Sequence, residues 1–140
     1  MKKLIITGIL LVVAALSFFL SDLIRTNDDQ GEITIEIVDQ IGDTVHHQTT
    51  SFVEGDTLLD IMTNNFELRC ANNQYQPDTC ATDYLIGNVI LSIDGMTTDW
   101  NNNYIAIYVN DEYSNYGIDE VLLQDGNVYR FEYTVVGDEE

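Results

Sequence analysis

Three regimes of hydrophobic patterning divide the chain. From Leu4 to Leu20 there is no charge, and Thr7 and Ser17 are the only hydroxyl residues. As a helix those seventeen residues rise about 25 Å, the short end of what spans a hydrocarbon core. Lys2 and Lys3 precede the run and Asp22 follows it, which favours a cytoplasmic N-terminus and an exported remainder. A cleaved signal peptide is the alternative, since Ala15-Leu16-Ser17 offers small residues for a peptidase. Span length favours the retained anchor. No cysteine precedes Cys70, which argues against a lipoprotein anchor.

Past Thr26 the pattern changes to period two. Glu32 to Val38 sets Ile33, Ile35 and Ile37 on one face, the mark of a half-buried strand. Asp39 to Asp43 supplies turn residues, and Thr44 to Val53 reads as the antiparallel partner. Glu54-Gly55-Asp56-Thr57 then opens a helix capped by Asp56 or Thr57, with Leu58, Leu59, Ile61, Met62 and Phe66 as its apolar stripe. Cys70 to Thr82 is polar and reads as a loop. Strand signals return at Tyr84–Ile86, Val89–Ile93, Tyr104–Asn110 and Val128–Val136, punctuated by Asp94-Gly95, Gly117 and Asp125-Gly126. In the last strand Tyr129, Phe131 and Tyr133 share a side.

A hairpin, a helix and then further strands predict an α+β domain. The expected arrangement is a β-grasp-like mixed sheet with one packed helix, preceded by an N-terminal transmembrane or signal helix. The expected divisions are residues 1–25 as membrane anchor or signal peptide, 26–31 as a polar linker, and 32–137 as the domain.

Charge narrows the partners. After Arg25 only Arg69 and Arg130 stand against 23 carboxylates, a net charge of −21 with no lysine. Affinity for phosphates comes from basic side chains, so nucleic acid and anionic lipid surfaces are disfavoured. Cys70 and Cys80 are the only cysteines. In an exported chain such a pair is read as a disulfide. The rival, a metal site, has two thiols and no nearby histidine, a poor ligand set.

From Glu32 onward several ordered segments carry a family resemblance. They are Phe52-Val53-Glu54-Gly55-Asp56-Thr57-Leu58-Leu59-Asp60, Ile93-Asp94-Gly95, Tyr108-Val109-Asn110, Gly117-Ile118-Asp119 and Leu123 to Phe131. In that order and spacing the chain resembles the transcobalamin-like C-terminal domain family of bacterial surface proteins. The resemblance implies a β-grasp-like fold and a surface that packs against a corrinoid. It implies ligand-facing groups on the strand before Asn110 and on the segment leading to Gly117. The family usually carries a tryptophan five residues before the asparagine. Ile105 stands there in this chain, with Trp100 five residues earlier.

The residues themselves point to the same stretch. Trp100, Tyr104, Tyr108, Tyr113 and Tyr116 fall within seventeen residues, interleaved with Asn101, Asn102, Asn103, Asn110 and Asn115. Aromatic faces beside amides suit a flat, partly polar ligand, although strand tyrosines also cover sheet faces with no ligand at all. The expected ligand-binding set is Trp100, Tyr104, Tyr108, Asn110, Tyr113, Tyr116 and Gly117. Asp94, Asp99, Asp111 and Glu112 could gather around calcium but lack the spaced loop pattern; a solvated acidic surface is the preferred reading. His46 and His47 are adjacent on a strand and point to opposite faces, so they cannot share one ion.

For catalysis the chain offers little. Ser51, Ser92 and Ser114 sit in no nucleophile turn, and no phosphate-cradling loop is present. The expectation is a protein that is not an enzyme, with no cofactor and no metal. The leading reading is a membrane-tethered extracellular binding module for a corrinoid or another small molecule. The alternative is a cell-surface protein–protein interaction or scaffold domain without a small-molecule ligand, acting for instance through an open sheet edge. Cell-membrane placement with an extracellular C-terminal domain follows for a retained anchor, and secretion for a cleaved one.

Overall fold

The computed structural model describes residues 26–72, 74–80 and 87–137. The run at residues 4–20 and the strand expected at Tyr84–Ile86 lie outside the described residues. Among the described residues no helix is long and apolar enough to cross a membrane.

The period-two pattern becomes a hairpin of β1 (Gln30–Val38) and β2 (Thr44–Val53), paired antiparallel. Ile33, Ile35 and Ile37 are all buried on one face, as the alternation predicts. Asp39 closes the turn, its Oδ1 accepting from the backbone N–H groups of Ile41 and Asp43 at 2.9 and 3.0 Å. The helix α1 (Leu58–Asn65) starts at Thr57, whose hydroxyl oxygen accepts from the Asp60 N–H while the Asp60 carboxylate accepts from the Thr57 N–H. Such a capping box contributes about 1 kcal/mol. Asp56, the other candidate cap, instead accepts from the Val53 N–H and closes the preceding turn. All five stripe residues of the helix are buried.

The segment expected to be a loop after Cys70 is in part sheet. Residues Leu68–Ala71 form β3 and Pro77–Asp78 form β4, paired antiparallel. Strands of four and two residues are too short for alternation to register, and here the tertiary setting creates them. Cys70 and Cys80 are joined, with their Cα atoms 4.8 Å apart. The strand β5 (Ile90–Ile93) lies on the other side of β3 and turns through Asp94-Gly95 into β6 (Met96–Thr97). Both turn residues have positive φ, +48° and +85°, the conformation a two-residue hairpin demands and Gly95 supplies without strain.

The remaining strands are β7 (Asn103–Val109), β8 (Glu112–Tyr113) and β9 (Val128–Val135). They complete a five-stranded sheet in the order β2-β1-β9-β7-β8, in which β9 runs parallel to β1 and antiparallel to β7. The other sheet has the order β4-β3-β5-β6. The described fold is thus α+β and mostly strand, with one short helix. Its strands divide between two sheets rather than forming one. A single core of Ile33, Ile35, Ile37, the helix stripe, Ile93, Ile107, Tyr129 and Phe131 joins them.

Register on the five-stranded sheet puts one row across the face opposite the core. His47, Glu36, Arg130, Tyr108 and Tyr113 stand side by side on β2, β1, β9, β7 and β8. His47 Nδ1 lies 3.0 Å from Glu36 Oε1, Arg130 lies 4.5 Å from the Tyr108 ring centre, and the Tyr108 and Tyr113 rings meet edge to face at 5.8 Å. Residues 26–31, expected as linker, are laced to the 122–126 segment. Asn27 Oδ1 accepts from the Leu123 N–H, Asp28 Oδ2 from the Asp125 N–H, and Asp125 Oδ1 from the Glu32 N–H. That approach requires Gly31, where a Cβ would stand 2.6 Å from Asp125 Oδ1.

Candidate functional site

A cleft of about 400 Å³ opens where β7 faces the start of β5 and the strap that follows β8. Among the described residues β8 pairs only with Tyr108 and Val109, so the cleft lies beside the earlier part of β7. Ile90, Ile105, Ile107 and Ile118, all buried, form its apolar floor. Its aromatic wall is Trp100, Tyr104, Tyr113 and Tyr116, and its amides are Asn88 and Asn115.

Each wall is held by its own local chemistry. Trp100 has φ +64° and belongs to a turn organised by Asp99. Asp99 Oδ1 accepts from the N–H groups of Asn101 and Asn102 at 3.0 and 2.8 Å, and Oδ2 from the Asn102 side chain at 2.6 Å. The backbone bond from Asn102 and then its side-chain bond hold the Asp99 carboxyl below its ordinary pKa, with Asn103 and Asn101 adding to them. The Trp100 ring is 41% exposed and meets Tyr104 edge to face at 6.2 Å. The opposite strap is pinned through Ser114, whose N–H donates to the Ile107 carbonyl at 2.8 Å and whose hydroxyl donates to the Tyr116 carbonyl at 3.0 Å. At Gly117 a Cβ would meet nothing within 4 Å, so its missing side chain leaves the wall open rather than relieving a clash.

Asn88 is 5% exposed, donating through Nδ2 to Asp119 Oδ1 at 2.7 Å and through its backbone N–H to Oδ2. It presents a fixed amide at the cleft. Its neighbour Val89 accepts from the Ala71 N–H at 2.8 Å, and Ala71 follows disulfide-bonded Cys70. The disulfide therefore braces this wall through one strand.

Of the seven residues expected to contact a ligand, Trp100, Tyr104, Tyr113, Tyr116 and Gly117 line the cleft together. Tyr108 does not. It lies in the transverse row under Arg130, which also bonds Glu132 at 3.0 Å and Asp111. Burial works against the charge of Arg130, but those two carboxylates more than offset it and raise its pKa. Asn110 is also outside the cleft. Its φ is +50°, and its side chain donates to Asn127 Oδ1 at 2.8 Å and accepts from the Val128 N–H at 2.9 Å. It borders a second, more polar hollow of about 440 Å³ beyond Tyr113–Tyr116, with Glu112, Gln124 and Asn127.

Nearby, Tyr129 is buried and fixes the 122–127 turn, its hydroxyl donating to the Leu122 carbonyl at 2.7 Å and accepting from the Gln124 N–H at 3.1 Å. Burial pushes its phenol pKa up against the opposing bonds from Asn127 and Gln124. Sequence reasoning missed Asn88, which nothing local marks because it is positioned by Asp119, thirty-one residues away. It also did not single out Ile118, within the Gly117-Ile118-Asp119 segment, as a cleft residue. Asp94, Asp99 and Asp111 are separately engaged, with the Glu67 N–H, the Trp100 turn and Arg130 respectively. Among the described residues no group of three or more His, Cys, Asp or Glu could hold a metal ion.

The family model for DUF4430, described as a domain of unknown function, matches residues 55–135. No curated protein matches the chain. Among solved structures it is similar to a candidate metal-binding protein from Ruminococcus gnavus ATCC 29149, at 15% identity and TM-score 0.52, covering 75% of this chain and 97% of that one. It is also similar to haptocorrin in complex with Cbi, at 11% identity and TM-score 0.56, covering 79% of this chain and 27% of that one. The chain thus spans about a quarter of haptocorrin. At these identities the likeness is one of fold.

Proposed function

The chain belongs to the DUF4430 family, and we propose that it is a non-catalytic binding module whose cleft takes a small, flat, partly polar molecule. The observation that carries this reading is the cleft itself, where four aromatic side chains and two amides converge over an apolar floor. Sites of this kind bind by burying ligand area against rigid rings while a few polar groups fix orientation.

A corrinoid is the first ligand to test. In support stand the likeness in fold to haptocorrin in complex with Cbi and the motifs shared with transcobalamin-like C-terminal domains. The same resemblance supports reading the order β2-β1-β9-β7, with the helix after the first hairpin, as β-grasp-like. In this proposal residues 4–20 tether the domain to the outer side of a membrane, or are removed on export.

Trp100 is the only tryptophan and lines the cleft, so its emission reports on this site. Titrating the full chain with cobalamin and with cobinamide should quench that emission and release or absorb heat at one stoichiometry. No quenching and no heat at high micromolar ligand would remove the corrinoid.

A further inference from the structure

One irregularity interrupts the pairing of β1 with β2. His46 stands opposite Ile37 and Thr44 opposite Val38, which leaves Val45 as the extra residue of a β-bulge. Strict alternation sends adjacent residues to opposite faces, whereas a bulge re-aims a side chain. Val45 and His46 accordingly line one and the same hollow.

That hollow, of about 560 Å³, lies where the tip of the β1–β2 hairpin meets the β5–β6 hairpin of the other sheet. Its size is that of a small-molecule site. It shares no lining residue with the aromatic cleft: β5 gives Ile90 to the cleft and Ile93 to the hollow. Ile37 and Ile93, both buried, form the floor, and Val45, Met96 and Tyr133 form apolar walls. The acidic groups of the lining are Asp39 and Asp94, and neither Arg69 nor Arg130 reaches it.

Each of these carboxylates is anchored through one oxygen. Asp39 Oδ1 accepts from the N–H groups of Ile41 and Asp43, and among the described residues its Oδ2 accepts nothing. Asp94 Oδ1 accepts from the Glu67 N–H at 2.7 Å. Its Oδ2 lies 3.5 Å from His46 Nε2, longer than a good hydrogen bond.

We propose that this hollow binds a primary alkylammonium ion, with the alkyl chain on the apolar floor and the ammonium against Asp39 and Asp94. A primary ammonium has three N–H donors to divide between the second oxygens of the two carboxylates, and such charge-assisted bonds are the strong ones. Tyr133 adds a ring, to whose face a cation is drawn. The charge of the domain selects this occupant, since only Arg69 and Arg130 stand against 23 carboxylates, a field that repels anions. A bare metal ion would make no use of the apolar floor, and among the described residues no three ligands stand together. A free alkylamine and the lysine side chain of a peptide both carry the required group.

Methyl resonances of methionine test this site separately from the cleft. Met1, Met62 and Met96 are the only methionines; Met96 lines the hollow, whereas Met62 is buried in the core. In the full chain, labelled at the methionine methyls and held in detergent micelles, pentylammonium should shift the Met96 signal saturably. The Met62 signal and Trp100 emission should stay in place. Pentanol, the same body without the charge, should bind about tenfold more weakly or worse, and added salt should weaken the amine. Asp39→Asn and Asp94→Asn keep the anchoring oxygen and should each weaken binding roughly fivefold. Nα-acetyl-lysine methylamide distinguishes the sources: if it binds as pentylammonium does, the ligand is a lysine side chain, and if only pentylammonium binds, it is a free amine. The proposal is overturned if neither amine moves Met96, or if pentanol binds as tightly as pentylammonium. Undiminished binding by both Asn variants, with Met62 at its native position, would overturn it too. None of these outcomes bears on the aromatic cleft, whose ligand is read at Trp100.

Discussion

Tyr104 and Tyr108 sit four residues apart on one strand, on the same face of one sheet, yet they have different work. Tyr108 lies beneath Arg130 and against Tyr113, in a row that continues through Glu36 to His47. Tyr104 meets Trp100 at the rim of a cleft whose far wall is Tyr116. The row is closed by ion pairs and ring contacts within the sheet, while the cleft has rings on its walls and space between them. A tyrosine on a strand is therefore structural or ligand-facing according to what its neighbouring strands bring opposite it.

The disulfide braces the cleft and not the transverse row, so its removal acts on the cleft first. Replacing both Cys70 and Cys80 by serine should cost roughly 2–3 kcal/mol of stability, the chain-entropy value for so short a loop. Because Cys70 precedes the Ala71–Val89 hydrogen bond, Trp100 emission should shift before the sheet unfolds. Denaturation followed by fluorescence and by circular dichroism in parallel checks this. Coincident transitions identical to wild type would show that the brace does not reach the cleft.

A smaller effect separates the two tyrosine settings directly. Arg130→Met removes the cation over Tyr108 and should destabilise by about 1 kcal/mol, with no change in small-molecule affinity. Trp100→Ala should leave stability within about 0.5 kcal/mol, as expected for a half-exposed ring, while weakening binding in the cleft. Melting temperatures and calorimetric titrations of the two variants distinguish them; a reversal of the pattern would assign the binding surface to the row.

The smallest expected effect is local and acid-dependent. The backbone and side-chain bonds from Asn102 hold the Asp99 carboxyl pKa below its ordinary value. The folded state thus binds this proton more weakly than the unfolded chain. The contribution is fully present above that ordinary value and is lost as pH falls below it through the folded value. Trp100 emission should change over that acid window, and Asp99→Asn should abolish the change without altering behaviour at neutral pH.

Much of the frame was legible from local pattern. The alternation at Ile33, Ile35 and Ile37 and the run Thr44–Val53 coincide with β1 and β2. Thr57, one of the two expected caps, starts the helix, and the expected Asp94-Gly95 turn joins β5 to β6. The short strands β3 and β4 were not legible, because four and two residues carry no period. Of the aromatic cluster, sequence spacing brought out four residues that do line one cleft, Trp100, Tyr104, Tyr113 and Tyr116. It could not separate Tyr108 from them, since Arg130 enters from another strand by register.

Strand faces, the helix cap, tight turns, the acidity and the cysteine pair depend on neighbours along the chain and can be read from it directly. Which of those faces meet is settled by the folded molecule. The division into two sheets, Asn88 set by Asp119, and Tyr108 placed under Arg130 all arise from contacts between residues far apart in sequence. A periodic pattern specifies which side of a strand is apolar. It holds no information about which strand lies next to it.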